Sequence, residues 1–337
     1  MAAYTLPGFV SAHSHGFQRS LRGRGAGGDF WVWRDAMLAE AARQTVASVR
    51  SGYEDVYREL RESGFTAVGE FHYLGLAEAF AALEAADAAG VTVVLLLAAY
   101  ERGGIDRFRQ GSIGEYLEQL EALRAAGARV GVAPHSVRAC SAAWLTEIGR
   151  YAAREGLVLH VHADEQPREI EECLAEHGVR PIELLARCGC LNPSTTVVHA
   201  THADAAELDL LADAGACVCL CPTTEANLGD GFPPLEGLLE RGIPLAIGSD
   251  SNVRIDPLEE LRELEGTARR QTGRREIISV DELLAIGSAN GAHSLGLEAW
   301  PNVQIDLAHP TVRGVARADA RAALLFSCAA DVVMSAD

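Results

Sequence analysis

The chain has no lysine; all 29 of its basic residues are arginine. That absence excludes a lysine Schiff base, a phosphate-loop lysine and a carbamylated lysine bridging two metals. Long apolar runs are missing as well. None reaches the roughly 18 residues of a membrane span, so no membrane partner is expected. Met1 to Leu6 lacks the basic start and apolar core of a secretory segment. The eight cysteines therefore read as reduced thiols, and the location expected is cytoplasmic. Positive charge is short overall: 29 basic residues face 47 acidic ones, a net charge of -18. Nucleic acid and anionic membranes are poor partners for such a chain. An acidic small molecule would have to be held by locally placed arginines, against the overall field.

What is present is ample apolar material, 48% of 337 residues. That suffices for one large domain or two smaller ones. From Pro7 to about Val253, short apolar runs alternate with longer amphipathic stretches. The runs are Gly8–Ala12, Thr66–Phe71, Val91–Ala98, Val130–Pro134, Leu157–His162, Thr196–His199, Ala216–Cys221 and Pro244–Ser249. Helical patterns lie between most of them, among them Ala36–Ser63, Ala77–Ala89, Ile113–Ala126, Ala142–Glu155, Pro167–Cys188 and Ala205–Ala214. Runs apolar on both faces suit a parallel sheet covered by helices. Eight such units predict an α/β fold, a closed (β/α)8 TIM-like barrel, over residues 1–297. Residues 298–337 are expected to pack outside it as a C-terminal extension. Gly23, Gly25 and Gly28 match a GxGxxG pattern, but no strand-to-helix turn surrounds them, and a mouth loop is the reading preferred.

Polar residues cluster just after the runs: His13 and His15, Tyr73, His135 and Arg138, His162 and Glu165, His199, Thr223 and Glu225, and Asp250. In a barrel these positions converge on one mouth. His13 and His15 are two apart, so in an extended strand both imidazoles leave on one side. His162 and Asp250 complete a mononuclear set suited to Zn2+, one ion per chain, with Fe2+ or Mn2+ accepted by the same ligands. His160 competes with His162 but lies further from the strand end. Such a metal lowers the pKa of a water it holds to about 7. Asp250 is then placed to take the water's proton, Glu165 to carry one to the leaving group, and His199 to hold the attacking oxygen or polarise the reacting carbon. Cys217, Cys219 and Cys221 alternate on one strand face and read as a packed strand of small residues.

These segments resemble the amidohydrolase superfamily, its mononuclear deaminase branch, and more narrowly the formimidoylglutamate deiminases. The matching pieces include PGFVSAHSHGFQRSLRG at 7–23, DFWVWR at 29–34, TAVGEFHYL at 66–74 and GVAPHSVRA at 131–139. HVHADEQ at 160–166, TVVHATHAD at 196–204, CPTTEANLGDG at 221–231 and IGSDS at 247–251 continue the match. The resemblance implies metal ligands His13, His15, His162 and Asp250, with Glu165 as proton shuttle and His199 as catalytic histidine. It also implies that Gln18, Arg34, Tyr73, His135 and Arg138 hold the amino-acid part of a small acidic substrate. Two carboxylates on that substrate would suit forked guanidinium groups. A hydrolytic deiminase of N-formimidoyl-L-glutamate, in histidine degradation and as a homodimer, is the expectation.

Three departures from the pattern stand out. The segments before the first barrel strand and around Leu297 to Asp306 are short, so the family's accessory β-sandwich should be reduced or absent. Asn252 stands where a histidine is usual, and Asp164 where a neutral residue is usual. The last two motivate an alternative, a deaminase of a pyrimidine, purine or pterin. A barrel that binds ligand or metal without turnover is the alternative from another class.

Overall fold

The computed structural model describes residues 3–24 and 27–336, with the side chains of residues 335 and 336 excepted. Gly25 of the glycine-rich stretch lies outside the described residues. Eleven strands run in chain order: β1 (Ala3–Pro7), β2 (Phe9–Ser14), β3 (Phe65–His72), β4 (Thr92–Ala99), β5 (Val130–Pro134), β6 (Leu159–Ala163), β7 (Thr195–His199), β8 (Cys217–Leu220), β9 (Leu245–Ile247), β10 (Asn302–Asp306) and β11 (Val333–Ala336).

β2 to β9 form one eight-stranded parallel sheet in sequential order. Just past its edges, Ser14 and Asp250 form a parallel bridge. His15 N–H donates to the Asp250 carbonyl at 2.8 Å and Asp250 N–H to the His13 carbonyl at 3.0 Å. This seam joins the first strand to the last, giving the (β/α)8 barrel. Every residue of β2 and β3 is buried, as expected for strands with helices outside and side chains filling the interior. The apolar runs coincide with the strands to within three residues, because their length and hydropathy dictate double-sided burial.

The helices divide more finely than their periodicity suggests. Ala36–Ser63 read as one helix; it is two, Phe30–Arg43 and Val46–Ser63. Thr45 caps the second through the Ser48 N–H at 3.2 Å, while Ser48 Oγ accepts from Thr45 N–H at 2.8 Å. A reciprocal cap of that kind interrupts the backbone without interrupting the apolar pattern. Pro167–Cys188 likewise splits into Pro167–His177 and Pro181–Arg187, separated by Gly178 in the left-handed region and a proline at the next helix start. Pro222–Leu228, which follows β8, is a helix too short for periodicity to show.

The accessory sandwich is reduced to one three-stranded antiparallel sheet, ordered β1-β10-β11. Leu6, Val303 and Ile305 are buried, and the sheet sits at the amino end of β2 and β3, opposite the seam. Trp300 Nε1 donates to the Gly8 carbonyl at 2.9 Å, and Gly8 N–H to the Pro301 carbonyl at 3.0 Å. Gly8 has no room for a side chain: a Cβ there would lie 2.2 Å from Thr66 Oγ1 and 2.5 Å from the Pro301 oxygen.

Gly8→Ala is therefore expected to destabilise the protein by about 1–3 kcal/mol through overpacking. Gly52→Ala, in an exposed helix with nothing within 4 Å of the new methyl, should stabilise by up to about 1 kcal/mol. Urea denaturation midpoints check both, and shifts of equal sign would contradict this account.

Candidate active site and metal centre

The seam that closes the barrel also assembles the site. His13 leaves the end of β2, and His15 follows it. Their Nε2 atoms lie 3.0 Å apart, and His162 Nε2 at the end of β6 lies 3.0 Å from His13 Nε2. His15 Nδ1 faces the Phe71 carbonyl and His162 Nδ1 the His135 carbonyl, each at 3.0 Å. A carbonyl only accepts, so the proton of each ring sits on Nδ1 and Nε2 carries a bare lone pair. Burial pushes His13, His15 and His162 below the ordinary histidine value, His15 to about 3. All three are then neutral near pH 7, the state in which imidazole ligates. Asp250 Oδ1 lies 3.5 Å from His13 Nε2 and 3.4 Å from His15 Nε2. Burial works against its charge, but the surrounding histidines, His13 first, hold its carboxyl below the ordinary range.

The bare Nε2 atoms of His15 and His162 converge with His13 Nε2 and a carboxylate. That donor set fits a divalent cation. His160 does not belong to it. It is buried one layer deeper and bonds the Ser294 carbonyl at 2.9 Å.

Beside this cradle, Glu165 Oε1 lies 3.7 Å from His199 Nε2, and Asp250 Oδ2 lies 3.9 Å from the same nitrogen. Burial alone would lower the His199 pKa, yet Glu165, Glu225 and Asp250 together raise it well above 6.5. Five non-glycine residues here have positive φ: Asp164, His199, Ala200, Asp250 and Asn252, between 43° and 74°. Such backbone costs energy and gathers at functional sites.

One cleft at the carboxyl end of the barrel is lined by His15, Gln18, Arg34, Tyr73, His135, Arg138, His162, Glu165, His199 and Asp250. The structure thus brings these ten residues together, with His13 beneath, whereas Thr223 and Glu225, also expected at the mouth, do not line the cleft. Gln18 Nε2 donates to Tyr73 Oη at 2.9 Å, and Gln18 Oε1 is buried without a partner. Arg34 comes from helix Phe30–Arg43, its guanidinium 5.7 Å from the Trp31 ring centre. Arg138 sits between two carboxylates, Glu165 and Glu169, at 3.4 Å each.

Several neighbours were not singled out as site residues. Glu169 is fully buried against Arg138. Glu225 Oε1 lies 3.3 Å from His199 Nδ1 and accepts from Cys221 N–H at 2.8 Å, so it orients the His199 ring. Its place after the seventh barrel strand was the available signal. Tyr100 and Arg102, just past β4, also line the cleft. Asn252 and Asp164 do not line it. Asn252 Nδ2 braces the seam through Ser14 Oγ and the Asp250 carbonyl, both at 3.0 Å. Asp164 is buried behind Glu165, 3.8 Å from Arg180, its carboxyl pushed up to about 9 by burial and by Glu207 and Glu169.

A parallel barrel whose carboxyl end gathers three neutral imidazoles, a carboxylate and a buried acid–base pair defines a metal-binding hydrolase. The chain belongs to the amidohydrolase family, whose model matches residues 4–299. It is 37% identical over 327 residues to a formimidoylglutamate deiminase of Pseudomonas aeruginosa, covering 86% of this chain and 72% of that protein. A 5-methylthioadenosine/S-adenosylhomocysteine deaminase of Haloarcula marismortui is 30% identical over 302 residues, covering 87% of this chain and 69% of that one. In fold it matches a crystal structure of an adenosine deaminase from Xanthomonas campestris with bound zinc, at TM-score 0.91 and 23% identity, covering 99% and 79% of the two chains. The protein is a hydrolase acting on carbon–nitrogen bonds.

The buried histidines carry a pH signature. Burial lowers His160 from 6.5 to about 3 in the folded protein. Between these values the unfolded chain binds more protons, so stability is fully present above 6.5 and is lost as pH falls through that window. His160→Gln should make the fall in metal-free protein shallower, by up to about 1.4 kcal/mol per pH unit. Urea unfolding between pH 4 and 7 measures it; parallel slopes would mean that His160 is charged when folded.

Proposed function

We propose that the chain hydrolyses N-formimidoyl-L-glutamate to N-formyl-L-glutamate and ammonia, with one Zn2+ per chain held by His13, His15, His162 and Asp250. One observation carries this reading: the cleft that holds the hydrolytic set also holds Arg34 and Arg138, beside Gln18, Tyr73 and His135. A substrate with two carboxylates needs such a wall, and a neutral ring does not. The 37% identity to a formimidoylglutamate deiminase supports it.

A cation in this cradle supplies Lewis acidity, activating water and polarising the formimidoyl group. The remaining steps belong to the side chains. Asp250 takes a proton from the attacking water. His199, kept protonated by its three carboxylates, donates from Nε2 toward the charge that develops as oxygen adds to carbon. Glu165 is 7% exposed, so it can exchange protons with substrate while water is largely excluded. It relays to the departing nitrogen the two protons that the attacking water loses, the first by way of Asp250 and the second as the carbonyl forms. The C–N bond breaks, ammonia leaves, and the formyl amide remains. Glu225 holds the His199 ring by its other nitrogen.

Arg34 makes no ion pair among the described residues, whereas Arg138 is shared by Glu165 and Glu169. Arg34 is therefore the main carboxylate clamp, and Arg138 also steadies the general acid. The eight thiols form no disulfide, which fits the cytoplasm; the homodimer of the related deiminases is carried over with this reading.

A second reading, deamination of a purine nucleoside, has the 30% identity to the methylthioadenosine deaminase in its favour. Asn252 and Asp164 no longer add to it, since neither lines the cleft. Zinc-loaded protein should release ammonia from N-formimidoyl-L-glutamate and not from methylthioadenosine; the reverse preference overturns the proposal.

Arg34→Met should raise KM by about 30-fold, equivalent to about 2 kcal/mol, with a smaller change in kcat. An unchanged KM would remove Arg34 from the substrate wall. Glu165→Gln should lower kcat by about 10²–10⁴ without loss of bound metal, read from steady-state kinetics and metal analysis.

A further inference from the structure

The strand pattern of alternating cysteines has a consequence at its upper end. Cys217, Cys219 and Cys221 pack inside the barrel with Ala12, Val198 and Ala246. Cys221 stands past the end of β8, where the chain turns into helix Pro222–Leu228. Ligand atoms of His199, Cys221 and Asp250 all lie within 4.8 Å of one another, and all three residues are buried. They come from the ends of three adjacent strands, so the objection to a cysteine cluster on one strand does not apply to them.

We propose that His199, Cys221 and Asp250 form a second, inhibitory site for a borderline or soft divalent cation such as Zn2+ or Cd2+, adjoining the first. It rests on the assignment of His13, His15, His162 and Asp250 as the first site. Asp250 divides between the two: Oδ1 faces His13 and His15 at 3.5 and 3.4 Å, while Oδ2 faces His199 Nε2 at 3.9 Å. His199 Nδ1 is already held by Glu225, which leaves Nε2 to ligate. Gly248 makes the neighbourhood possible: a Cβ there would lie 3.1 Å from Cys221 Sγ and 2.9 Å from His13 Cβ.

The donor set is thiolate, imidazole and carboxylate, which selects zinc-like ions over Mg2+ or Ca2+. As the sulfur–metal bond forms, Cys221 gives its proton to solvent, and His199 Nε2 does the same. No redox change is involved. Inhibition follows because His199 cannot both ligate a cation and donate toward the reacting carbon. The activating metal, in excess, becomes an inhibitor.

The test titrates protein holding one equivalent of zinc with Cd2+. A second equivalent should bind, with a thiolate-to-cadmium absorption band growing in proportion, and turnover should fall in step. Cys221→Ser and Cys221→Ala should each keep the first equivalent but lose the second and its band. Cys217→Ser, a change on the same strand face away from the site, should retain both. The proposal is overturned if the wild type takes a single equivalent, if the band survives in both Cys221 variants, or if the first equivalent itself does not depend on His13. Stoichiometry and band are read without substrate. Failure of the formimidoylglutamate reading therefore shows separately, as absent ammonia release with the band intact.

Discussion

Three buried imidazole nitrogens crowded around one point are a costly arrangement by themselves. His13 Nε2 lies 3.0 Å from the Nε2 of both His15 and His162, and each ring is buried. Like-oriented dipoles at that distance repel, and burial removes the water that would screen them. The fold holds them there by committing the Nδ1 protons of His15 and His162 to backbone carbonyls and by packing the rings beneath a cleft. A cation held by these nitrogens would return that energy. Much of the remaining structure follows from keeping this cradle intact. Asp250 must reach it across the closure of the barrel, so the hydrogen bonds of the seam position two ligands and the carboxylate together.

The same seam links stability to chemistry. β9 is only three residues long, and the join continues through Ser14, His15 and Asp250. Asn252 braces that join from beneath with its amide, and Asn252 and Asp250 both carry left-handed backbone to do so. A residue that departs from the family pattern thus braces the backbone that carries His15 and Asp250 and does not line the cleft. Asp164 departs in a similar way, buried among Arg180, Glu207 and Glu169, behind Glu165.

Charge in the cleft is local, as an acidic chain without lysine requires. Arginine supplies the cations, and its planar fork lets one group serve several partners. Arg138 spans Glu165 and Glu169, while Arg102 meets both oxygens of Glu176 at 2.7 and 3.0 Å. Arg34 is left for a ligand. Three carboxylates then converge on His199, so one ring reports the state of the acid, the seam and the helix after β8.

The barrel strands and the positions of His13, His15, His162, Glu165, His199 and Asp250 were legible in the chain itself. Strand length, double-sided hydropathy and the i, i+2 spacing are local properties, and a parallel barrel delivers strand ends to one mouth whatever the loops do. The breaks at Thr45 and Gly178 were not legible from periodicity, because a cap interrupts hydrogen bonding without interrupting the apolar stripe. Nor was the small sheet, since β1 and β10 are separated by nearly the whole chain and neither has a pattern that identifies its partner. The same limit hid the partners of the cleft residues. Glu169 against Arg138, Glu225 against His199 and Cys221 beside Asp250 are pairings across different elements. A sequence determines which groups can ionise, ligate or donate; which of them share a proton or an ion depends on distances that only tertiary packing sets, and electrostatic coupling in a buried site changes steeply with those distances.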